Sequence, residues 1–218
     1  MGELPSFSLQ GKVIVQFGGS GLLGRALVSA IGSAGATLVI TSRASGKLAA
    51  LVEQERAAGG AVSAEEVDLR SEASLQVLRD RVTATHGGVD GVVFNAVARP
   101  MRAWSDPIEH WKESMETNAT GYFAAVRIFG DAMATRRGGS IVAISSTQGL
   151  IGINPWLYEG TDLGAPPDYF FHKAGMINLT RYMATHYGPK GVRVNVVAPG
   201  GILNPERPPP ASVLERYG

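Results

Sequence analysis

Short apolar runs alternate with longer stretches of helical periodicity along the whole chain. Runs such as Val13-Ile14-Val15 and Ile141-Val142-Ala143-Ile144 contain no polar position, which is typical of strands covered by helices on both faces. The pattern predicts six strands, at Lys12–Phe17, Ala36–Thr41, Ala61–Val67, Gly91–Asn95, Gly139–Ser145 and Val192–Val197. It predicts helices near Leu22–Ala34, Lys47–Ala58, Ser71–His86, Ile108–Arg136 (two helices) and Tyr169–Tyr187. This order predicts right-handed β-α-β crossovers and an α/β fold with a doubly wound parallel sheet.

The prolines near the C-terminus mark the end of this regular pattern. Residues 1–203 are predicted to form one dinucleotide-binding domain, because six strands complete the usual sheet of such domains. The remaining segment, 204–218, contains three consecutive prolines, Pro208 to Pro210. Proline cannot donate a ladder hydrogen bond, so the stretch 204–210 is predicted to be extended and poorly packed, and the regular fold is predicted to end before it.

Composition and charge exclude several classes of protein. With 44% hydrophobic and 18% charged residues, the chain is expected to fold rather than remain disordered. A formal net charge of +1 indicates neither a nucleic-acid-binding protein nor a membrane-surface protein. There is no cysteine, and the four histidines show no metal-ligand spacing, so no disulfide, thiolate nucleophile or metal site is predicted. The start of the sequence does not resemble a signal peptide and no apolar run could span a bilayer, so a cytoplasmic protein is expected.

A glycine-rich loop joins the first predicted strand to the first predicted helix. The segment Gly18-Gly19-Ser20-Gly21-Leu22-Leu23-Gly24 contains G-x-x-G-x-x-G and, overlapping it, G-x-G-x-x-G. A pyrophosphate can reach the backbone N–H groups of a helix N-terminus only where no Cβ stands in the way. The loop therefore predicts a dinucleotide site within a Rossmann fold, with a plain tight turn as the alternative interpretation. The predicted contacts are Gly18, Ser20, Gly21, Leu22 and Gly24.

The end of the second predicted strand indicates which dinucleotide binds. An NAD-selective site usually carries Asp or Glu there, whereas a guanidinium group accommodates the 2′-phosphate of NADP. This chain has Ser42 followed by Arg43, nineteen residues after Gly24, close to the expected interval of about 20. NADP is therefore predicted, with NAD as the alternative. The other interpretation of Arg43 is an ordinary solvent-exposed charge.

Candidate proton-transfer residues lie on the last predicted helix. Tyr169 and Lys173 are four residues apart, so their side chains share one helix face. A phenol is a weak acid near neutral pH, and a nearby ammonium group favours its ionised form. An exposed pair with a buried ring is a common alternative at this spacing. Here, however, Ser145-Ser146 follows a buried strand, Asn118 begins a helical run, and Pro199-Gly200 follows the sixth strand.

At these positions the chain resembles the short-chain dehydrogenase/reductase family, in its single-domain branch. The resemblance covers nearly the whole chain in order, through the glycine loop, Asp68, Asn95-Ala96, Asn118, Ser146, Tyr169, Lys173 and Pro199-Gly200. It implies that Tyr169 acts as general acid in ketone reduction and that Lys173 holds the nicotinamide ribose. It also implies that Ser146 binds the substrate oxygen and that Asn118 anchors a water of the proton relay.

The same resemblance implies the remaining contacts and the activity. Asp68 is expected to bind the adenine, and Ile202 is expected to meet the carboxamide through its backbone; the other expected cofactor contacts are Leu69, Asn95, Ala96, Val97, Pro199, Gly200, Tyr169 and Lys173. The implied activity is that of an NADP(H)-dependent oxidoreductase acting on a small-molecule secondary alcohol or ketone. A homodimer or homotetramer is expected, because helices near the apolar face of Val126, Ile128 and Phe129 form interfaces in the family.

The chain departs from the family pattern in ways that keep alternatives open. The glycine spacing is similar to that of the extended, sugar-epimerase branch, although the chain has no room for that branch's substrate domain. Val97 replaces a glycine, and the chain stops at Gly218, where the family's final strand is still expected to follow. The alternatives are a non-catalytic NADP-binding sensor or inactive truncated homologue and, third, a nucleotide-sugar epimerase.

An inserted segment, 156–168, separates Ser146 from Tyr169 more widely than is usual in the family. It is similar to an insertion in a bacterial subgroup linked to surface-sugar or flagellin-glycan modification. Trp156 and Tyr158, with Glu159 and Asp162, could stack on a sugar and bind its hydroxyls; a surface loop stiffened by Pro166-Pro167 is an equally good interpretation. This inserted segment is interpreted as a mainly uncharged lid over the site. The lid is expected to give no anchor for a phosphate or a coenzyme A tail.

Overall fold

The computed structural model describes residues 7–136, 138–161, 163–164 and 166–217. Six parallel strands form one sheet in the order β3-β2-β1-β4-β5-β6. The strands are β1 (Val13–Phe17), β2 (Thr37–Ser42), β3 (Ala61–Glu66), β4 (Gly91–Phe94), β5 (Gly139–Ile144) and β6 (Val192–Val197). All six predicted strands are therefore confirmed to within a residue or so at each end, and the doubly wound parallel sheet is the observed architecture.

Helices cover both faces of this sheet. They are α1 (Leu22–Ser33), α2 (Ala49–Ala57), α3 (Glu72–His86), α4 (Ile108–Met115), α5 (Gly121–Thr135), α6 (Pro155–Tyr158), α7 (Pro167–Tyr187) and α8 (Ala211–Tyr217). The predicted division of the run 108–136 occurs at a π-helical turn, Glu116–Thr120. Short 3₁₀ turns lie at Ser45–Leu48, Thr147–Gly149 and Gly188–Lys190. Among the described helices, none is long and apolar enough to cross a membrane.

Two apolar layers hold the sheet between the helices. The larger layer contains Phe17, Phe94 and Phe129, all buried, with the Phe17 ring centroid 5.5 Å from that of Phe94 and 5.6 Å from that of Phe129. The smaller layer, around Leu38 and Ile40, lies against α1 and α2. Because each buried aromatic side chain removes a large apolar area from water, these layers hold the carboxyl ends of β1, β4 and β5 rigidly beside one another. Val126, Ile128 and Phe129 belong to this core.

The C-terminal segment is irregular through residues 204–210, but it then forms a helix that the sequence pattern did not predict. Residues 211–217 form α8, in which Val213 is buried. The Tyr217 hydroxyl accepts a hydrogen bond from the backbone N–H of Gly201 at 2.8 Å, and Arg216 donates to the carbonyls of Trp156 and Glu159. The prolines themselves have no backbone N–H to donate. The carbonyl of Pro210 nevertheless accepts hydrogen bonds from the N–H groups of Val213 and Leu214 in the first turn of α8. Proline is compatible with the start of a helix, so the helix begins directly after it.

Candidate active site

A cavity of about 550 Å³ opens at the carboxyl ends of the central strands. It lies where the strand order reverses between β1 and β4, which is where doubly wound folds bind their ligands. Its lining includes these predicted residues: Gly18, Ser20, Gly21, Leu22, Gly24, Asn95, Val97, Ser146, Tyr169, Lys173, Pro199, Gly200 and Ile202. The structure thus brings residues from five separate segments of the chain to one site.

The glycine loop shapes one wall of this cavity. Gly18 has φ +85°, and a Cβ there would lie 2.7 Å from the backbone of Ala96. A Cβ on Gly24 would overlap the Gly18 carbonyl oxygen. At Gly21, which also lines the cavity, a Cβ would by contrast have no described atom within 4 Å. The first turn of α1 carries no acidic side chain and no side-chain cap, so its N–H groups are available to an anion. These features fit a pyrophosphate.

A smaller cavity of about 180 Å³ adjoins the first one beyond β2. It shares Gly18, Ser20 and Val97 with the larger cavity and adds Ser42, Arg43, Asp68, Leu69 and Ala96. The two cavities together include every residue predicted to bind the cofactor. Arg43 is exposed at the rim, whereas the Ser42 hydroxyl bonds to the backbone of Ala44 within its own turn.

Asp68 is already paired within this smaller cavity. Arg70 donates to both of its carboxylate oxygens, at 3.0 and 2.9 Å. Those bonds, together with the positive charges of Arg70 and Arg43, hold the pKa of Asp68 below its usual value. Asp68 is therefore a carboxylate acceptor held in a fixed orientation in the lining of the smaller cavity.

Lys173 lies beneath the Tyr169 ring at the end of β5. Its side chain is 3% exposed, and Nζ donates to the carbonyl oxygen of Ile144 at 2.7 Å and lies 5.6 Å from the Tyr169 ring centroid. Burial, together with the charge of the neighbouring Arg99, lowers the pKa of Lys173 to about 8. The ammonium group is thus held close to the phenol, as the four-residue spacing predicts.

Two contacts fix α7 against the end of β5. The Ser145 hydroxyl donates to the backbone carbonyl of Lys173 at 2.8 Å, and Gly149 lets the 3₁₀ turn approach the same carbonyl, since a Cβ there would lie 2.8 Å from it. The neighbouring Ser146 lines the cavity beside Tyr169. The serine at the strand end and the tyrosine on the helix are therefore held in one wall.

Asn118 does not line any of the described cavities but is buried beside them in the π-helical turn. Its amide accepts from the N–H of Ala98 and donates to the carbonyl of the same residue, both at 2.8 Å. Its Nδ2 also donates to the Ser114 hydroxyl at 2.9 Å, and that hydroxyl donates to Asp168 Oδ2. π-Helical turns of this kind are frequent at functional sites.

Sequence reasoning missed Ser114 and Asp168, which link Asn118 to the residue next to Tyr169. Both are buried, and Asp168 Oδ1 has no partner among the described residues. One signal was available: Ser114 precedes Asn118 by four residues and Asp168 directly precedes Tyr169. That α4 and α7 would lie side by side could only be seen in the fold.

His172 is buried against the edge of the Tyr169 ring, 5.3 Å between centroids. Neither ring nitrogen has a partner in the part of the chain that the structure describes. Burial, with the charges of Lys173 and Arg99, lowers the pKa of His172 to about 3. The imidazole is therefore neutral at physiological pH and packs against the tyrosine.

A second large cavity, of about 520 Å³, lies on the other side of Ser146 and Tyr169. These two residues, Arg99 and Gly200 line both large cavities, and the inserted segment closes the second one through Tyr158, Leu163, Gly164 and Pro166. The segment after β4 contributes Arg99, Met101 and Arg102. Among the described residues, no group of three or more acidic or histidine side chains could hold a metal ion.

The inserted segment does not form the predicted sugar-binding wall as a whole. Trp156 is absent from the described lining of this cavity, and its ring lies under the Arg216 guanidinium, 5.6 Å from centroid to carbon. Glu159 is directed to the same arginine, at 3.9 Å. Asp162 lies outside the described residues. Of the four predicted wall residues, only Tyr158 is seen to face the cavity, because α8 packs against the segment from outside.

Comparison with known proteins agrees with this geometry. The family model described as short chain dehydrogenase matches residues 12–207. The chain belongs to the short-chain dehydrogenase family.

Several relatives in this family have been named for their reactions. The chain is 34% identical over 202 residues to a 3beta-hydroxysteroid dehydrogenase 1 of Eggerthella lenta, covering 90% of this chain and 73% of that protein. It is also 34% identical over 197 residues to a 3-oxoacyl-[acyl-carrier-protein] reductase of Aquifex aeolicus, covering 89% and 75%. These are oxidoreductases, and the chain is an oxidoreductase of the same family.

Solved short-chain dehydrogenase structures have the same fold. A short-chain dehydrogenase/reductase of Burkholderia xenovorans superposes with a TM-score of 0.80 at 33% identity, covering 90% of this chain and 76% of that one. A short-chain type dehydrogenase/reductase of Mycobacterium marinum gives 0.82 at 28% identity, covering 89% and 76%. The family binds a nicotinamide dinucleotide, NAD or NADP, and the glycine loop and adjoining cavities fit such a molecule.

Proposed function

We propose that the protein is an NADP(H)-dependent oxidoreductase that interconverts a secondary alcohol and a ketone. One observation carries this proposal: Ser146 and Tyr169 line both the cavity that fits the dinucleotide and the separate cavity beside it. A carbonyl oxygen that reaches these two hydroxyl groups from the second cavity would place its carbon next to the first. When bound, the nicotinamide supplies or accepts the hydride.

The chain's own residues then handle the oxygen and its proton. The Ser146 hydroxyl donates a hydrogen bond to the carbonyl oxygen, and the Tyr169 hydroxyl donates a proton to the same oxygen as the alcohol forms. The buried Lys173 ammonium stabilises the phenolate that remains. In alcohol oxidation the same groups act in reverse, with Tyr169 as the base.

Asn118 supports the proton relay from the other side of the site. Its side chain is fixed by two bonds to Ala98 and one to Ser114, and these hold the backbone of the π-helical turn in place. We assign it the role of anchoring a water that returns a proton towards Lys173 and Tyr169.

The preference for NADP rests on the rim of the smaller cavity. Arg43 is exposed there, beside Asp68. Its guanidinium offers a planar donor set that suits a 2′-phosphate. Neither Ser42 nor Arg43 carries a carboxylate, the group that accepts hydrogen bonds from both hydroxyls of a ribose diol in NAD-selective sites.

We further propose that the protein assembles as a homodimer or homotetramer. Apolar side chains are exposed on α5 and α7, with Phe123 43%, Phe171 58% and Tyr182 66% exposed, and such surfaces are typical of association sites. Light scattering at micromolar concentration is expected to give a mass above that of one chain, and a monomer alone would contradict this.

The activity is tested with Tyr169→Phe. This variant keeps the ring and its packing but cannot donate or accept a proton, so it is expected to abolish ketone reduction while NADPH still quenches tryptophan fluorescence. Phe170→Tyr is the matched control, because it adds a hydroxyl on the neighbouring position and leaves Tyr169 intact. Turnover by Tyr169→Phe at the wild-type rate would contradict the mechanism. Tight NADPH binding with no turnover of any ketone by the wild type would instead favour the sensor interpretation.

A further inference from the structure

The second cavity carries a positive charge that the mainly uncharged lid did not predict. Arg99 and Arg102 both line it, and both come from the segment that follows β4 rather than from the inserted lid. Of the cavity's lining residues that the structure describes, none is Asp or Glu. The lid itself thus stays mainly uncharged, and the positive charge of this cavity comes from the segment after β4.

Neither guanidinium group forms an ion pair with a carboxylate of the described residues. Asp106 lies close to Arg102, but it accepts from the backbone N–H groups of Arg102 and Ala103. The Arg99 guanidinium carbon lies over the Tyr169 ring, 5.2 Å from its centroid. Its charge also reaches the interior, since it contributes to the lowered pKa values of Lys173 and His172.

We propose, resting on the proposed function, that the natural substrate is an anionic ketone or alcohol, an oxo acid or hydroxy acid whose carboxylate binds Arg99 and Arg102. A guanidinium group presents a planar fork of donors that matches two carboxylate oxygens. The reacting carbonyl lies at Ser146 and Tyr169, and the acid group lies towards the segment after β4.

The geometry also limits the length of the substrate. Arg99 is stacked on the ring of the proton donor itself, so an anion bound to it lies only a few carbon atoms from the reacting carbonyl. Arg102 lies three residues further along the same segment and lines only the second cavity. Tyr158 and Leu163 from the lid supply apolar surface for the carbon chain between the two ends. Short oxo acids therefore fit better than long acyl chains.

The test compares oxo acids with their neutral methyl esters. The pairs are 2-oxobutanoate, 4-oxopentanoate and 5-oxohexanoate, each with its ester, and hydroxyacetone phosphate with hydroxyacetone as a phosphate arm. In the wild type, kcat/KM for the best acid is expected to exceed that for its ester by about tenfold or more, the effect of a charged hydrogen bond. A preference confined to the phosphate arm would overturn the carboxylate assignment.

Arg102→Met is the decisive variant, because Arg102 does not line the cofactor cavity. It is expected to lower the preference for acids severalfold, because Arg99 alone remains to bind the carboxylate, while NADPH binding stays within about twofold of wild type. Arg181→Met, which removes an equal charge from the far part of α7, is the matched control and is expected to change neither quantity. Arg99→Met is interpreted together with its NADPH titration, because Arg99 lines both cavities.

Calorimetric binding of the same pairs to the NADP-saturated protein separates the two proposals. If acid and ester had equal kcat/KM and equal affinity in both the wild type and Arg102→Met, the substrate assignment would be overturned. The oxidoreductase proposal would remain intact. Acids that bind through Arg102 but are never turned over would support the anion site and contradict the proposed activity.

Discussion

Asp168 accepts a hydrogen bond from the hydroxyl of Ser114, although the two residues lie 54 positions apart in the chain. Both side chains are buried, and the hydroxyl accepts in turn from the Asn118 amide. A buried polar group is held strongly when it is satisfied and is costly when it is not. The chain Asn118–Ser114–Asp168 therefore ties the π-helical turn to the first turn of α7, immediately before Tyr169.

Ser114→Ala is expected to lower kcat about tenfold, the effect of one lost hydrogen bond in the transition state, because Asn118 would lose one of its three side-chain hydrogen bonds. KM and NADPH affinity are expected to change little, since Ser114 does not line either large cavity. Stopped-flow or steady-state kinetics separate the two parameters. Ser140→Ala, at the opposite end of β5, controls for the loss of a hydroxyl; an equal loss in both variants would contradict a positioning role.

Arg43→Ala is expected to weaken NADPH binding about 10- to 100-fold, as loss of a charged hydrogen bond to a phosphate would. NADH has no 2′-phosphate, so its affinity is expected to change by no more than about twofold. Fluorescence titration with each dinucleotide measures this. Arg79→Ala, which removes a charge from α3 at a position that lines neither cofactor cavity, is the control. The same loss for NADH and NADPH would show that Arg43 does not recognise the 2′-phosphate.

The glycine loop permits a comparison between binding and folding. Gly21→Ala is expected to weaken cofactor binding while thermal stability is kept, because Gly21 lines the cavity and its Cβ would have no described protein atom within 4 Å. Gly24→Ala is expected to lower the free energy of unfolding by about 1–3 kcal/mol, because its Cβ would overlap the Gly18 carbonyl. Gly138→Ala, where a Cβ meets open space, is the control. Thermal melts and NADPH titrations of all three separate the two effects; unchanged NADPH affinity in Gly21→Ala would place the pyrophosphate elsewhere.

The buried ammonium of Lys173 predicts a pH dependence of stability. Burial lowers its pKa from 10.5 to about 8, so between these values the unfolded chain binds a proton that the folded chain lacks. The free energy of unfolding therefore rises with pH across this window, and below about pH 8 that contribution is lost. Relative to Lys173→Met, the wild type is expected to gain about 3 kcal/mol between pH 7.5 and 10.5. Urea unfolding of both proteins measures this, and a difference that stays constant with pH would contradict it.

The number of strands and their positions along the chain could be predicted from local sequence. Continuous β-branched runs such as Val13-Ile14-Val15 can be buried on both faces, and the intervening periodic stretches cover them. The glycine loop and the Tyr169–Lys173 spacing could be recognised just as directly, because each depends only on residues within one loop or one turn of helix. These features need no knowledge of distant contacts, and the sheet and the cofactor cavities agree with them.

The remaining features depended on contacts between segments far apart in the chain. The proline pattern could not show that α8 packs Tyr217 against Gly201 and draws Arg216 over Trp156, because those contacts form only when both segments reach the same edge. The sequence also could not show that Ser114 donates a hydrogen bond to Asp168, or that the Arg99 guanidinium stacks on the Tyr169 ring. The sequence by itself determined the strands, the helices that cover the sheet and the glycine loop, since periodicity and backbone sterics are local. Tertiary structure decided which charges and buried polar groups surround the substrate, since those depend on the packing of helices that the chain order does not place side by side.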